Sequence, residues 1–386
     1  MRTVWRSLVA LGLGLVLALV LDQTVHRFVP PERIDTERPR YLQTVQYHPI
    51  LAWSGFPNFA ETNDGIRYQT NSLGYRDREP VGAGDGQKLR VLFLGDSFTW
   101  GDEVSTQDRF PDLLEASCGS HCDRLPAIHA INRGIIGYGT AQELLQYLLT
   151  RNGEPFDLVI LALFSGNDLT DNANVDSPSG PRPRLIRCDP GSAGHALCLE
   201  GVPVPTVVDW PEHRLISPRG EFARSFGWSG VVKMASQRRA PRVILDRRVA
   251  DQMGDALKSL PFRVVQRTSN AAVEDRIGQL EDILGAFERT VREDGKGFGV
   301  LVFPSARVYA DTSHDEERDY REILGVLNRL KIPFADFYEH TKDARWQDLF
   351  FDLNSHWRRA GHEEAAELLR TLLISDEMRS AWHDKR

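Results

Sequence analysis

The sequence predicts an α/β protein built on a mostly parallel sheet with helices on both faces. Two observations carry that reading. From residue 90 onward, short apolar runs alternate with amphipathic stretches, the pattern of strand and crossover helix. One run, Asp157 to Phe164, is apolar almost throughout, as a strand covered on both faces must be. With 386 residues, 41% of them hydrophobic, the chain can also fill the core that such a sheet needs.

Taken in order, Arg90 to Leu94 is the first core strand, stopped by Gly95-Asp96-Ser97. Phe110 to Ala116 forms a short helix and Ala127 to Ile131 the second strand, which runs into the glycine-rich stretch Asn132 to Gly139. Ala141 to Thr150 places Leu144, Leu145 and Leu148 on one helical face. The third strand is Asp157 to Phe164. A helix over Ala272 to Glu293 ends at Gly295, and the fourth strand is Gly299 to Phe303. Tyr320 to Leu330 is helical, Ile332 to Phe337 is the fifth strand, and Ala360 to Ile374 closes the pattern as an amphipathic helix.

Three regions stand outside this alternation. Arg2 and Arg6 flank the uncharged run Leu8 to Leu21, so residues 1–22 read as an uncleaved membrane anchor, with a signal peptide as the rival. Either way the remainder of the chain is expected outside the cytoplasm, periplasmic or extracellular. Residues 23–87 are an extended lead-in that carries Trp53, Phe56 and a turn at Asn71 to Asp77. Residues 171–265 are rich in Pro, Arg and Gly and form an insertion in a domain that spans 88–386. The four cysteines lie in two close pairs, Cys118 with Cys122 and Cys188 with Cys198, as two local disulfides of an exported chain would. The net charge of −7, with no basic stripe, argues against nucleic acid as a partner.

Polar residues follow the predicted strands at four places. Ser97 comes after the first strand, where a serine can act as a nucleophile or cap a helix. Asn132 to Thr140 follows the second, with Gly134, Gly137 and Gly139 able to bring a backbone N–H to a ligand or simply to turn the chain. Ser165-Gly166-Asn167-Asp168 follows the third, and the Asn167 amide can donate to a ligand or cap. Asp352-Leu353-Asn354-Ser355-His356 precedes the last helix. In a doubly wound sheet the carboxyl ends of the strands converge on one crevice. His356 and His362 lack the spacing and carboxylate of a zinc helix, so no metal and no cofactor is expected.

With these segments in this order, the chain resembles the SGNH hydrolases, also called GDSL esterases and lipases. The resemblance covers about residues 88–170 and 297–374. It implies a flavodoxin-like three-layer α/β/α sandwich with a five-stranded sheet. It also implies a serine esterase acting through an acyl-serine, with Ser97 as nucleophile and His356 as base. The oxyanion hole would be formed by the N–H groups of Ser97 and Gly137, with Gly134 second to Gly137, and by the Asn167 amide. The family places its aspartate three residues before the histidine. Leu353 stands there in this chain, so Asp352 is expected to orient His356, with Asn354 the other polar candidate. The expected substrate is an ester, including O-acyl groups of a cell-envelope glycan. O-acyl transfer to an exported polysaccharide is the first alternative, and a non-catalytic anchored binding or assembly protein the second. Acyl chain and oligomeric state are not specified by the sequence.

Overall fold

The computed structural model describes residues 44–82, 88–118, 125–174, 176–177, 180–188, 196–204, 254–265, 272–353 and 355–383. All of them belong to one unit, residues 44–205 with 246–386. The expected anchor at 1–22, and with it Cys122 and Asn354, lies outside the described residues. Among the described residues no helix is long and apolar enough to cross a membrane.

Two hairpins come first: β1 (Val45–His48) with β2 (Ala52–Gly55), and β3 (Ala60–Asn63) with β4 (Ile66–Gln69). β5 (Leu89–Gly95) leads into a one-turn helix, α1 (Ser97–Trp100), and then α2 (Phe110–Ser117). β6 (Ile128–Asn132), α3 (Thr140–Thr150), β7 (Leu158–Phe164) and α4 (Asp168–Ala173) follow. Between α4 and the next long helix lie the short pair β8 (Asp176–Ser177) and β9 (Gly180–Pro181), and the three strands β10 (Arg184–Arg187), β11 (Leu197–Glu200) and β12 (Arg263–Val265). The chain then forms α5 (Arg276–Glu293), β13 (Gly297–Phe303), α6 (Ala306–Tyr309), α7 (His314–Leu330), β14 (Phe334–Asp336), α8 (Phe337–Thr341), α9 (Trp346–Leu349), α10 (Arg359–Ile374) and α11 (Asp376–His383).

The central sheet runs β6-β5-β7-β13-β14, every neighbouring pair parallel. This is the flavodoxin-like order, in which the topology reverses between the first and third core strands, here β5 and β7. Side chains alternate across the sheet. Val91, Phe93, Ile160, Ala162, Leu301 and Phe303 join the core beneath α2 and α10, with Trp357 fully buried among them. Leu92, Leu94, Val159, Leu161, Val300 and Val302 are buried on the other face, where α3, α5 and α7 pack on one another. The result is the three-layer α/β/α sandwich that the alternation predicted. Burying the eleven Val, Leu, Ile and Phe side chains among these sheet residues at roughly 1.5–3 kcal/mol each supplies much of the driving force for this layer order.

The lead-in is part of this fold through polar contacts. Asn71 Oδ1 accepts the N–H groups of Leu73 and Tyr75, which closes the turn expected there. That turn delivers Arg76, 1% exposed, to the carbonyls of Trp100, Gly101 and Val104. Cys188 and Cys198 are bonded at the end of the β10–β11 hairpin, Cys118 is also disulfide-bonded, and none of the described cysteines is free.

Candidate active site

The site forms at the carboxyl ends of β5 and β7, where the sheet order reverses. The turn after β5 is tight: a Cβ on Gly95 would lie 2.2 Å from Thr99 Oγ1, so only glycine fits. Asp96 caps α1, its Oδ1 accepting the Phe98 N–H at 2.9 Å. The cap is therefore Asp96 and not Ser97, and the serine hydroxyl is left for another partner. Between Val91 and Gly101, Ser97 is the sole residue that is not buried.

His356 supplies that partner. Its Nε2 lies 2.8 Å from Ser97 Oγ across 259 positions of sequence. The ring packs edge-on against Phe98, centroids 5.0 Å apart, and Phe98 in turn packs on Trp357. On the far side of the ring, Nδ1 lies 3.1 Å from Glu103 Oε2. The same carboxylate oxygen accepts from Ser355 Oγ and, at 3.4 Å, from the His356 backbone N–H. Glu103 itself sits at φ 65°, a left-handed conformation that costs a non-glycine residue energy. Arg76 holds this loop by its bonds to Gly101 and Val104 on either side.

Asp352, expected to orient His356, is thus corrected: the carboxylate on Nδ1 is that of Glu103. Leu353 packs against the hydrophobic core, which turns the segment so that Asp352 is exposed while Ser355 and His356 face Glu103. Asn354, the other candidate, lies outside the described residues. Sequence spacing from the histidine pointed away from Glu103, which lies 253 residues earlier. A visible signal was the acidic pair Asp102-Glu103, five and six residues past Ser97 and preceded by a turn glycine.

Asn167 occupies the N-cap position of α4, yet its side chain makes no cap bond. Its Nδ2 instead lies 3.3 Å from Asp96 Oδ2, which leaves the second amide hydrogen uncommitted there. Asp168 closes the turn by accepting the Phe164 N–H at 3.0 Å. The glycine loop resolves in the same way. Gly134 donates its N–H to Asn132 Oδ1 at 3.0 Å, and a Cβ there would meet Trp100 N at 2.5 Å. It serves close packing against α1. Gly137, at φ 73°, is the single residue between Ile128 and Leu148 that is not buried. The structure therefore brings Ser97, Gly137, Asn167 and His356 to the same end of the sheet as half-buried positions, with Glu103 behind His356.

The charges reinforce the geometry. Burial pulls the His356 pKa down, but its bond to Glu103 and the charges of Asp102, Asp96 and Glu103 outweigh that, so it lies above the ordinary histidine value. The bond to His356 in turn holds the Glu103 carboxyl down to about 2, against a smaller opposing effect of burial. Asp96 is raised to about 6, first by burial. Burial, together with the neighbouring carboxylates, likewise pushes Glu143 and Asp168 well above the usual range. His362 is fully buried in α10, accepts the Phe110 N–H at 3.3 Å on Nδ1, and is pushed down to about 3 by burial and by the charges of Arg109 and His356. Among the described residues, Asp311, His314 and Glu317 are grouped closely enough to hold a metal ion, and none of them belongs to this site.

No family model and no curated protein matches the chain. Solved structures similar to it are lipolytic proteins of the G-D-S-L family and acetylxylan esterases. A lipase/acylhydrolase from Enterococcus faecalis is 11% identical over 74% of this chain and 95% of its own, with a TM-score of 0.38. A putative G-D-S-L family lipolytic protein from Desulfitobacterium hafniense is 12% identical over 74% and 100%, with a TM-score of 0.37. An acetylxylan esterase from Geobacillus stearothermophilus is 12% identical over 78% and 99%, with a TM-score of 0.35.

Proposed function

We propose that the chain is a serine esterase of SGNH type. The observation that carries this is the hydrogen-bonded line Ser97 Oγ, His356 Nε2, His356 Nδ1, Glu103 Oε2, at 2.8 and 3.1 Å, at the switch point of a parallel sheet.

The chemistry follows from the atoms. The reaction uses His356 in its neutral form, with its proton on Nδ1 facing Glu103, so that Nε2 presents a lone pair to the serine hydroxyl. As Ser97 Oγ attacks an ester carbonyl carbon, its proton passes to Nε2, and the carbonyl oxygen takes up the charge. The Ser97 N–H, the Gly137 N–H and the Asn167 amide are the donors assigned to that oxyanion. Collapse of the tetrahedral adduct breaks the bond to the alkoxy oxygen. That oxygen leaves as the alcohol with the proton from Nε2, and the acyl group remains on Oγ. Water, deprotonated by the same Nε2, then attacks the acyl-serine and releases the acid with Ser97 restored. Glu103 stays ionised and stabilises the imidazolium in both halves. Solvent reaches Ser97 and His356, which supports water as acceptor and hence hydrolysis.

The test is hydrolysis of short-chain nitrophenyl esters by the wild type and Ser97→Ala, with mass mapping of a serine-directed phosphonate. Ser97-dependent turnover and a single adduct on Ser97 are expected. Equal rates in the two proteins, or an adduct elsewhere, would overturn the reading. Acylated glycan formed without free acid, when the protein is given an acyl donor and a polysaccharide, would replace hydrolysis by transfer.

A further inference from the structure

The Gly137 N–H can serve the oxyanion only if its peptide plane is turned the right way, and residues outside the sandwich core fix that plane. In a trans peptide the C=O of one residue and the N–H of the next point in opposite directions. The Ile136 carbonyl accepts the Trp53 indole N–H at 2.9 Å in a buried contact, so the Gly137 N–H is directed away from Trp53. The next plane is held as well: the Gly137 carbonyl accepts from Arg182 Nη1 at 2.7 Å. Gly137 is thus a left-handed residue with both flanking peptides tied down.

The two anchors are themselves fixed. Trp53 is 2% exposed on β2, and its own carbonyl accepts the Tyr138 hydroxyl. The Arg182 guanidinium lies 5.0 Å over the Trp53 ring, and its Nη2 is 3.2 Å from Asp171 Oδ1. Gln142 joins them, its Oε1 accepting from Arg182 at 2.9 Å and its Nε2 donating to the Leu51 carbonyl at 2.7 Å. Trp53 comes from the lead-in and Arg182 from the segment between α4 and α5. Neither belongs to the sheet or its covering helices.

We infer that Trp53 and Arg182 are positioning residues that lock the Gly137 peptide with its N–H toward the reacting carbonyl. This rests on the esterase reading. The test compares an ester with the matching thionoester, whose sulfur is a poor hydrogen-bond acceptor, in the wild type, Trp53→Phe, Arg182→Met and Arg182→Lys. Trp53→Phe and Arg182→Met should lose about 10–100-fold in kcat on the ester, less than outright removal of one donor, with KM within about twofold. The ester-to-thionoester ratio should fall with the ester rate, and Arg182→Lys should restore part of it. A role in packing alone would lower both substrates equally and leave the ratio unchanged, and that result overturns the inference. A second measurement does not depend on turnover: the Gly137 amide resonance and its hydrogen exchange, with the Gly134 amide as internal control. In Trp53→Phe the Gly137 amide should shift and exchange faster while Gly134 holds still. An unmoved Gly137 amide also overturns the lock. Should the wild type show no Ser97-dependent turnover, the esterase reading fails, and the amide measurement still decides whether Trp53 holds this peptide.

Discussion

Replacing Glu103 with Gln separates charge from shape at the base. The amide keeps an oxygen that can accept from Ser355, the His356 backbone and Nδ1, so the contacts at 3.1–3.4 Å can persist while the negative charge is gone. At an effective dielectric of about 20, a pair of unit charges about 4 Å apart is worth about 4 kcal/mol. The Glu103 side chain is 45% exposed, and solvent screening brings the figure to about 2–3 kcal/mol. If that stabilises the imidazolium only in the transition state, Glu103→Gln should lower kcat about 30–150-fold. A second effect has a fixed sign. His356 must be neutral to accept the serine proton, so the rate climbs as pH rises through its pKa. Glu103 raises that pKa, so its neutralisation moves the acid limb of the kcat/KM profile to lower pH while the plateau falls. Stopped-flow or steady-state hydrolysis of a nitrophenyl ester between pH 4 and pH 9 reads both. A plateau within twofold of wild type, or an acid limb that stays in place, would refute Glu103 as the partner of His356.

Asp352→Asn should stay within about twofold of wild type in the same assay, because Glu103 holds Nδ1; a loss of a hundredfold would return the role to Asp352. Asn167→Ala should cost about 10²–10³ in kcat with little change in KM, as removal of one oxyanion donor does, and a change confined to KM would count against it. His362 has a folded pKa of about 3, below its unfolded value of 6.5, so the unfolded chain binds the extra proton between those values. Its contribution to stability is therefore lost as pH falls through that window. The drop in urea midpoint from pH 7 to pH 4 should be shallower in His362→Leu, whatever the variant's stability at pH 7, and an unchanged drop would show that another group carries the acid sensitivity. Removing the Cys188–Cys198 bond, which closes a loop of separation 10, should cost about 2–3 kcal/mol, read as a lower Tm of Cys188→Ser/Cys198→Ser than of the wild type, both without reductant, and an equal Tm would count against it.

The sandwich was legible because its strands are buried on both faces, and such strands are written as plain apolar runs. All five appear within a few residues of their predicted limits, β13 starting at Gly297 where Gly299 was expected and β14 confined to Phe334–Asp336. Helix starts were harder. The first turn of α7 is wholly polar, capped by Ser313 with Asp315, Glu316 and Glu317 behind it, so the apolar period begins only at Tyr320. Conversely α5 begins at Arg276 under the Asp275 cap, four residues after the expected start, because the cap and not the apolar pattern sets its edge. The hairpins of the lead-in have strands of four residues, too short for alternation to declare itself. At the site, residues that follow strands were visible from position alone. Glu103 was not, since its part depends on a left-handed backbone and on a partner 253 residues away. Trp53 and Arg182 were hidden for the same reason: they act through backbone carbonyls, which leave no trace in side-chain spacing.

Glu103 and Ser97 lie on one short segment, tied to the lead-in by Arg76. Two members of the proposed triad therefore sit on one short segment, and the histidine is the member that the fold brings to them across 259 positions. Ser355 and the His356 backbone N–H bond the same carboxylate oxygen that the ring engages, so the docking of this C-terminal stretch and the arming of the base are one event.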